Sequence, residues 1–120
     1  VLIFDKENFK SMKQTDAIAL ISKGITAGSA QRWADLGCGE GTFTGALFHL
    51  LPAGSEIRAV DRQIQRLNIP VNFTMANFET DDLKLAGLDG IMMANSLHYI
   101  RDKKKLIAKL EAYFQELRLF

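Results

Sequence analysis

This 120-residue chain has a single cysteine, nearly equal numbers of basic and acidic side chains, and no apolar run of membrane-spanning length. A lone cysteine excludes an internal disulfide, and the missing apolar run removes a transmembrane helix, so a cytoplasmic protein is the expectation. With 15 basic residues against 14 acidic ones the formal charge is +1. That balance lacks the electrostatic footprint of a nucleic-acid or membrane surface, and neither partner is expected. The run Lys103-Lys104-Lys105 opens a helical pattern and reads as a solvated face. Repeats, low-complexity tracts and an interior linker are also absent. A composition 48% hydrophobic and 24% charged fits one globular domain over residues 1–120. The chain begins at Val1 without an initiator methionine, which suggests trimming or an incomplete chain, and no signal peptide is recognisable.

What the chain does contain is concentrated in Asp35-Leu36-Gly37-Cys38-Gly39-Glu40-Gly41-Thr42. Upstream, residues 30–36 read as a strand. Downstream, Phe43, Ala46, Leu47, Leu50 and Leu51 recur at helical spacing, so the glycines join a strand end to a helix start. Glycine at alternate positions suits a backbone that visits positive φ or lies against a ligand that a Cβ would strike. A dinucleotide fingerprint needs its third glycine where Thr42 stands, and the Gly-Lys-Ser/Thr ending of a phosphate-binding loop is missing. Both of those nucleotide classes are therefore disfavoured, NAD-dependent oxidoreduction among them.

After a turn at 52–55, Glu56 to Asp61 reads as a second strand that ends in a carboxylate. An acid at this distance from the loop can accept hydrogen bonds from two ribose hydroxyls, or it can cap a following short helix. Residues 71–76 read as a third strand ending at Asn77-Phe78, and residues 88–94 as a buried fourth ending at Asn95-Ser96-Leu97-His98-Tyr99. Before the loop, Thr15 to Ile25 is helical in pattern with Asp16 as a candidate cap; after the fourth strand, Asp102 to about Glu116 forms the last helix. Short helices are expected after the second and third strands. Such alternation specifies an α/β fold, a parallel sheet covered on both faces with its site at the carboxyl ends of the strands.

An acid two residues before Gly-x-Gly-x-Gly, followed by a strand-terminal acid, resembles motif I and its sequel in the class I S-adenosylmethionine-dependent methyltransferases, over roughly Thr15 to Tyr113. The resemblance implies a Rossmann-like sheet of order 3-2-1-4, S-adenosyl-L-methionine as cofactor with S-adenosyl-L-homocysteine as product, and methyl transfer to a small-molecule acceptor. It implies cofactor-binding roles for Asp35 (the ammonium, directly or through water), for Gly37, Cys38, Gly39 and Gly41 (the methionine and ribose portion), for Asp61 with the adjoining Arg62 (ribose), for Asn77 and Phe78 (adenine), and for Asn95 at the substrate mouth. Cys38 otherwise reads as a small packed residue, and Phe78 equally as core. His98 is the candidate general base, against the blander reading of a packed or helix-start histidine. No metal-ligand set is read.

The chain departs from the family by stopping after the fourth strand and its helix, short of the usual later strands, and by its short connection from Asp61 to Val71. A fourth strand at the sheet boundary would be an open apolar edge carrying Met92, Met93 and Leu97. Later residues missing from the chain, a homodimer through that edge, or a reduced module that binds cofactor or a partner without catalysis would each account for it.

Overall fold

In a computed structural model, residues 2–4, 13–25, 28–94 and 100–114 are described, residues 2–4 by their backbone alone. The elements are β1 (Leu2–Phe4), α1 (Gln14–Ile21), β2 (Arg32–Leu36), α2 (Thr42–Leu50), β3 (Glu56–Asp61), β4 (Asn72–Met75), β5 (Gly90–Ala94) and α3 (Lys103–Glu111). All five strands are parallel, in the order β1-β5-β2-β3-β4. The first to fourth strands expected from the sequence are β2, β3, β4 and β5, so the 3-2-1-4 order holds. No strand follows β5 among the described residues.

One expectation is overturned. β5 is not an open edge, because Leu2, Ile3 and Phe4 of β1 pair with Met92, Met93 and Ala94. A homodimer or a missing segment is therefore not required to cover it. Three residues are too few to display a period, so Leu2-Ile3-Phe4 carries no strand signal of its own in the sequence.

Side chains alternate across the sheet with a period of two. On one face Trp33, Ile57 and Met92 pack against Ala17 and Ile21 of α1 and Phe43, Ala46 and Leu47 of α2. On the other, Ala34, Leu36, Val60, Ile91 and Met93 pack against Leu106 and Leu110 of α3 and against Phe78, Leu83 and Leu88. Two glycines permit close approach. A Cβ on Gly45 would strike the Gln14 amide, which lets α1 and α2 touch; a Cβ on Gly90 would strike the Trp33 ring, which lies across from it in register.

Local corrections follow from chain chemistry. α1 begins at Gln14 after an extended Lys13 with no side-chain cap, so Asp16 lies in the first turn rather than before it. Its acid still faces the positive helix end favourably. α1 closes at Ile21 into a 3-10 turn at Ser22–Gly24. α3 does have a side-chain cap, Asp102 Oδ1 accepting from Lys105 N at 3.0 Å, and ends at Glu111, before the expected Glu116. No helix forms in 62–70 or in 78–88. Two helical turns take about seven residues, leaving too few of 62–70 to reverse direction twice and return to the level of Arg58, where Asn72 pairs. Among the described residues no helix is long and apolar enough to cross a membrane.

Candidate functional site

The carboxyl ends of β2 and β3 bring the Gly loop and both acids together. Gly37, Gly39 and Gly41 adopt φ of +78°, +54° and +95°, the left-handed region in which an L side chain is strained. The loop is fastened to β3: Gly37 N and Cys38 N both donate to Val60 O, at 2.7 and 3.1 Å. Gly39 N then donates to Asp61 Oδ2 at 2.9 Å, and Gly41 N to Cys38 O at 3.1 Å. Gly41 is the left-handed N-cap of α2, so the first helical N–H groups follow directly on the loop and no side chain caps them. Loop and second acid thus form one unit.

Asp61 is partly buried. Its Oδ2 takes the Gly39 N–H and its Oδ1 the Gln63 N–H at 2.9 Å. A carboxylate oxygen accepts two hydrogen bonds, so each oxygen keeps one lone pair for a further donor. Such a pair of acceptors matches the two vicinal hydroxyls of a ribose. Arg62, next along the chain, is exposed.

Asp35 behaves differently. It is 1% exposed, its Oδ2 accepts from Thr44 Oγ1 at 2.5 Å, and its Oδ1 is buried with no partner. Burial, against the lowering effect of the Thr44 hydroxyl and with a smaller push from Asp61, raises its carboxyl to about 7. An orphaned carboxyl oxygen behind a bare loop fits a cationic group arriving there, and the bare loop, the twin acceptors and this oxygen together fit an adenosyl amino acid. Burial, with Asp35 and Asp61 adding to it, pushes the Cys38 thiol up to about 12, so it remains a neutral packing group and no nucleophile at ordinary pH.

Asn77 and Phe78 follow β4. Asn77 O accepts from Thr80 N and Asp81 N, Asn77 Oδ1 from Glu79 N, and Asp81 Oδ2 from Asn77 N, which closes residues 77–81 into a braced turn. The Phe78 ring is 6% exposed and belongs to the core cluster with Leu83 and Leu110. What this turn offers outward is therefore the Asn77 amide and the Phe78 N–H, which no described residue accepts. Asn95 and His98, with Tyr99, lie outside the described residues. Thr44 was not singled out from the sequence; the signal available was a hydroxyl in the first turn of the helix that follows the glycines.

No family model matches the chain, and no curated protein matches it. Solved structures do. The chain is similar to the plantazolicin methyltransferase BpumL in complex with SAH and monoazolic desmethylPZN analog, at 18% identity and a TM-score of 0.69, covering 89% of this chain and 46% of that one. BpumL in complex with SAH gives 18% identity and a TM-score of 0.65, over 82% of this chain and 41% of that one. A SAM-dependent methyltransferase from Aquifex aeolicus matches at 15% identity and a TM-score of 0.64, over 93% of this chain and 68% of that one. The chain therefore spans less than half the length of BpumL. At these identities the likeness is one of architecture: this chain has the Rossmann-like fold of the S-adenosylmethionine-dependent methyltransferases.

Proposed function

We propose that the carboxyl ends of β2, β3 and β4 bind S-adenosylmethionine and that the protein transfers its methyl group to a small-molecule acceptor. The observation that carries the reading is the fastening of the left-handed glycine loop to Asp61. It sets a ligand-sized stretch of bare backbone beside two free carboxylate lone pairs, with the orphaned Asp35 oxygen behind it. The fold, shared with methyltransferases, supports the reading, and so does the near-neutral charge, which favours a small acceptor over a nucleic acid.

When bound, the cofactor supplies an activated methyl on a sulfonium, so the protein's contribution is alignment and exclusion of water rather than activation. Asp61 holds the ribose through both oxygens. The Gly37, Gly39 and Gly41 backbone lines the methionine and ribose portion, with Cys38 filling the space behind it. Asn77 accepts from the adenine amine through the second lone pair of Oδ1, and the Phe78 N–H donates to the adjacent ring nitrogen. Asp35 is sealed from solvent and acts on the amino-acid ammonium through a water or at short range. Arg62 stands at the ribose end. Asn95, next in chain after β5, is assigned to the methionine part of the cofactor at the substrate mouth, and His98 to the acceptor side as the base where the acceptor must lose a proton.

Titration calorimetry of the 120-residue chain with S-adenosylhomocysteine tests the reading. Asp61→Asn is the control of choice, because it preserves size and one acceptor for the loop. Saturable binding that Asp61→Asn weakens about tenfold or more, about 1.4 kcal/mol, is the expected result. A folded chain with no binding would end the proposal.

A further inference from the structure

One contact to the adenine turn comes from far along the chain. Lys109, in the last turn of α3, sends its ammonium to the carbonyl of Phe78 at 2.9 Å and to that of Asp81, 28 residues away in sequence. A lysine at a helix C-terminus is favoured there by the helix dipole without any further partner. This one leaves its own helix to donate two charge-assisted hydrogen bonds, and the carbonyls it takes stand at opposite ends of the 77–81 turn. The Phe78 ring is meanwhile buried with Leu106 and Leu110 of α3. The turn is thus pinned to α3 at its apolar side by Phe78 and at its carbonyls by Lys109. Holding the Phe78 carbonyl toward α3 turns the Glu79 N–H of the same peptide the other way, onto Asn77 Oδ1. Asn77 O, held inside the turn by Thr80 N and Asp81 N, likewise fixes the Phe78 N–H of its own peptide on the opposite side, so the turn keeps a fixed donor and acceptor.

The geometry points to Lys109 as a positioning residue that sets base recognition: it holds the 77–81 turn so that Asn77 and Phe78 read the amine and ring nitrogen of adenine. This inference rests on the cofactor-binding reading above and deepens it. Lys109 touches no ligand and acts only through the turn. A second link makes an internal control. The Tyr113 hydroxyl accepts from Leu83 N at 3.1 Å, tying the same connection, beyond the adenine turn, to the residues that follow α3.

The test is calorimetric titration of the 120-residue chain with S-adenosylhomocysteine and with S-inosylhomocysteine. In the second ligand the amine is replaced by a carbonyl, and the ring nitrogen carries a proton. The wild type is expected to prefer the adenine ligand. Lys109→Met keeps the apolar stem and removes the ammonium. It is expected to weaken the adenine ligand about tenfold while barely changing the inosine ligand, so that the preference collapses. Lys109→Arg keeps most of the preference, and Tyr113→Phe keeps all of it while lowering the melting temperature. Equal loss of both ligands in Lys109→Met, or an unchanged preference, overturns the inference and leaves a structural lysine. A wild type that binds both ligands equally also overturns it, since the turn then reads no base. Binding of neither ligand by the wild type overturns the cofactor reading itself. Should Lys109→Met fail to fold, Lys109→Gln carries the same comparison.

Discussion

At the amino ends of β2 and β3, polar groups are paired locally. Arg32 Nε meets Glu56 Oε2 at 3.0 Å, Arg32 N donates to Asp89 Oδ2 at 2.9 Å, and Gln31 N donates to Ser55 Oγ at 2.9 Å. A groove of about 270 Å³ there is lined by Arg32, Glu56, Arg58, Asn72 and Lys84 among others; the Arg32 charge is met by Glu56, while Arg58 Nη1 donates to Thr74 at 3.3 Å and its buried Nε has no partner among the described residues. At the carboxyl ends of the same strands the chain places two acids near one another, three left-handed glycines, and a buried carboxyl oxygen with no partner. The amino end carries penalties too, a φ of +54° at Lys84 and the buried Arg58 Nε with no partner, but its acids Glu56 and Asp89 are both paired with Arg32. The carboxyl end places a desolvated carboxyl behind bare backbone, the kind of charge penalty that concentrates where a ligand is to be held.

Removing the penalty at Asp35 should show the largest effect. The folded protein holds the Asp35 proton up to about pH 7, against 3.8 for an ordinary carboxyl, so it binds more protons than the unfolded chain between those values. The stability this group contributes is fully present below about pH 4 and is lost as pH rises through about 7. Asp35→Asn should therefore stabilise the protein at pH 8, by up to about 4 kcal/mol, and should change little at pH 4, by chemical denaturation at the two pH values. The same substitution should flatten a wild-type dependence in which S-adenosylhomocysteine binds more weakly below pH 7. A gain that is equal at both pH values would mean that Asp35 stays ionised when folded.

A smaller effect is expected at the loop. Gly41→Ala puts a side chain at φ +95°, with its Cβ 2.8 Å from Leu67 Cδ2. The left-handed backbone costs about 1–2 kcal/mol, while Leu67 can yield. Denaturation should show that loss, and calorimetry a more than tenfold weaker S-adenosylhomocysteine. Unaltered affinity would show that the bare backbone at Gly41 is not part of the ligand surface. The smallest effect belongs to the opposite end. Arg32→Gln breaks an ion pair whose side chains are 59% and 61% exposed, and should cost about 0.5 kcal/mol with no change in ligand affinity. An affinity change there would abolish the distinction between the two ends.

Much of this was legible in the sequence, for identifiable reasons. β3 was read to the residue because a turn and a terminal acid bound it, the parallel sheet followed from alternation of strands and helices, and its order came from the family resemblance. The proximity of the glycines and Asp61 followed from the strand order in turn. The missing parts are those fixed by contacts between distant segments. β1 pairs across the length of the chain, and Lys109 reaches the turn after β4 from α3. The Thr44 hydroxyl finds Asp35 only because α2 begins at a left-handed Gly41. Local pattern cannot report a hydrogen bond between elements whose relative placement it does not contain. The 62–70 connection failed for another reason: its composition permitted a helix, and the distance to be covered did not.

The two bonds from Gly37 and Cys38 to Val60 O make the glycine loop a continuation of the ladder between β2 and β3. Its amide protons should accordingly exchange with solvent on the schedule of the sheet interior and not on that of a surface loop. The conformational entropy of the loop is surrendered once, during folding, and a ligand arriving afterwards meets a surface that has little freedom left to lose.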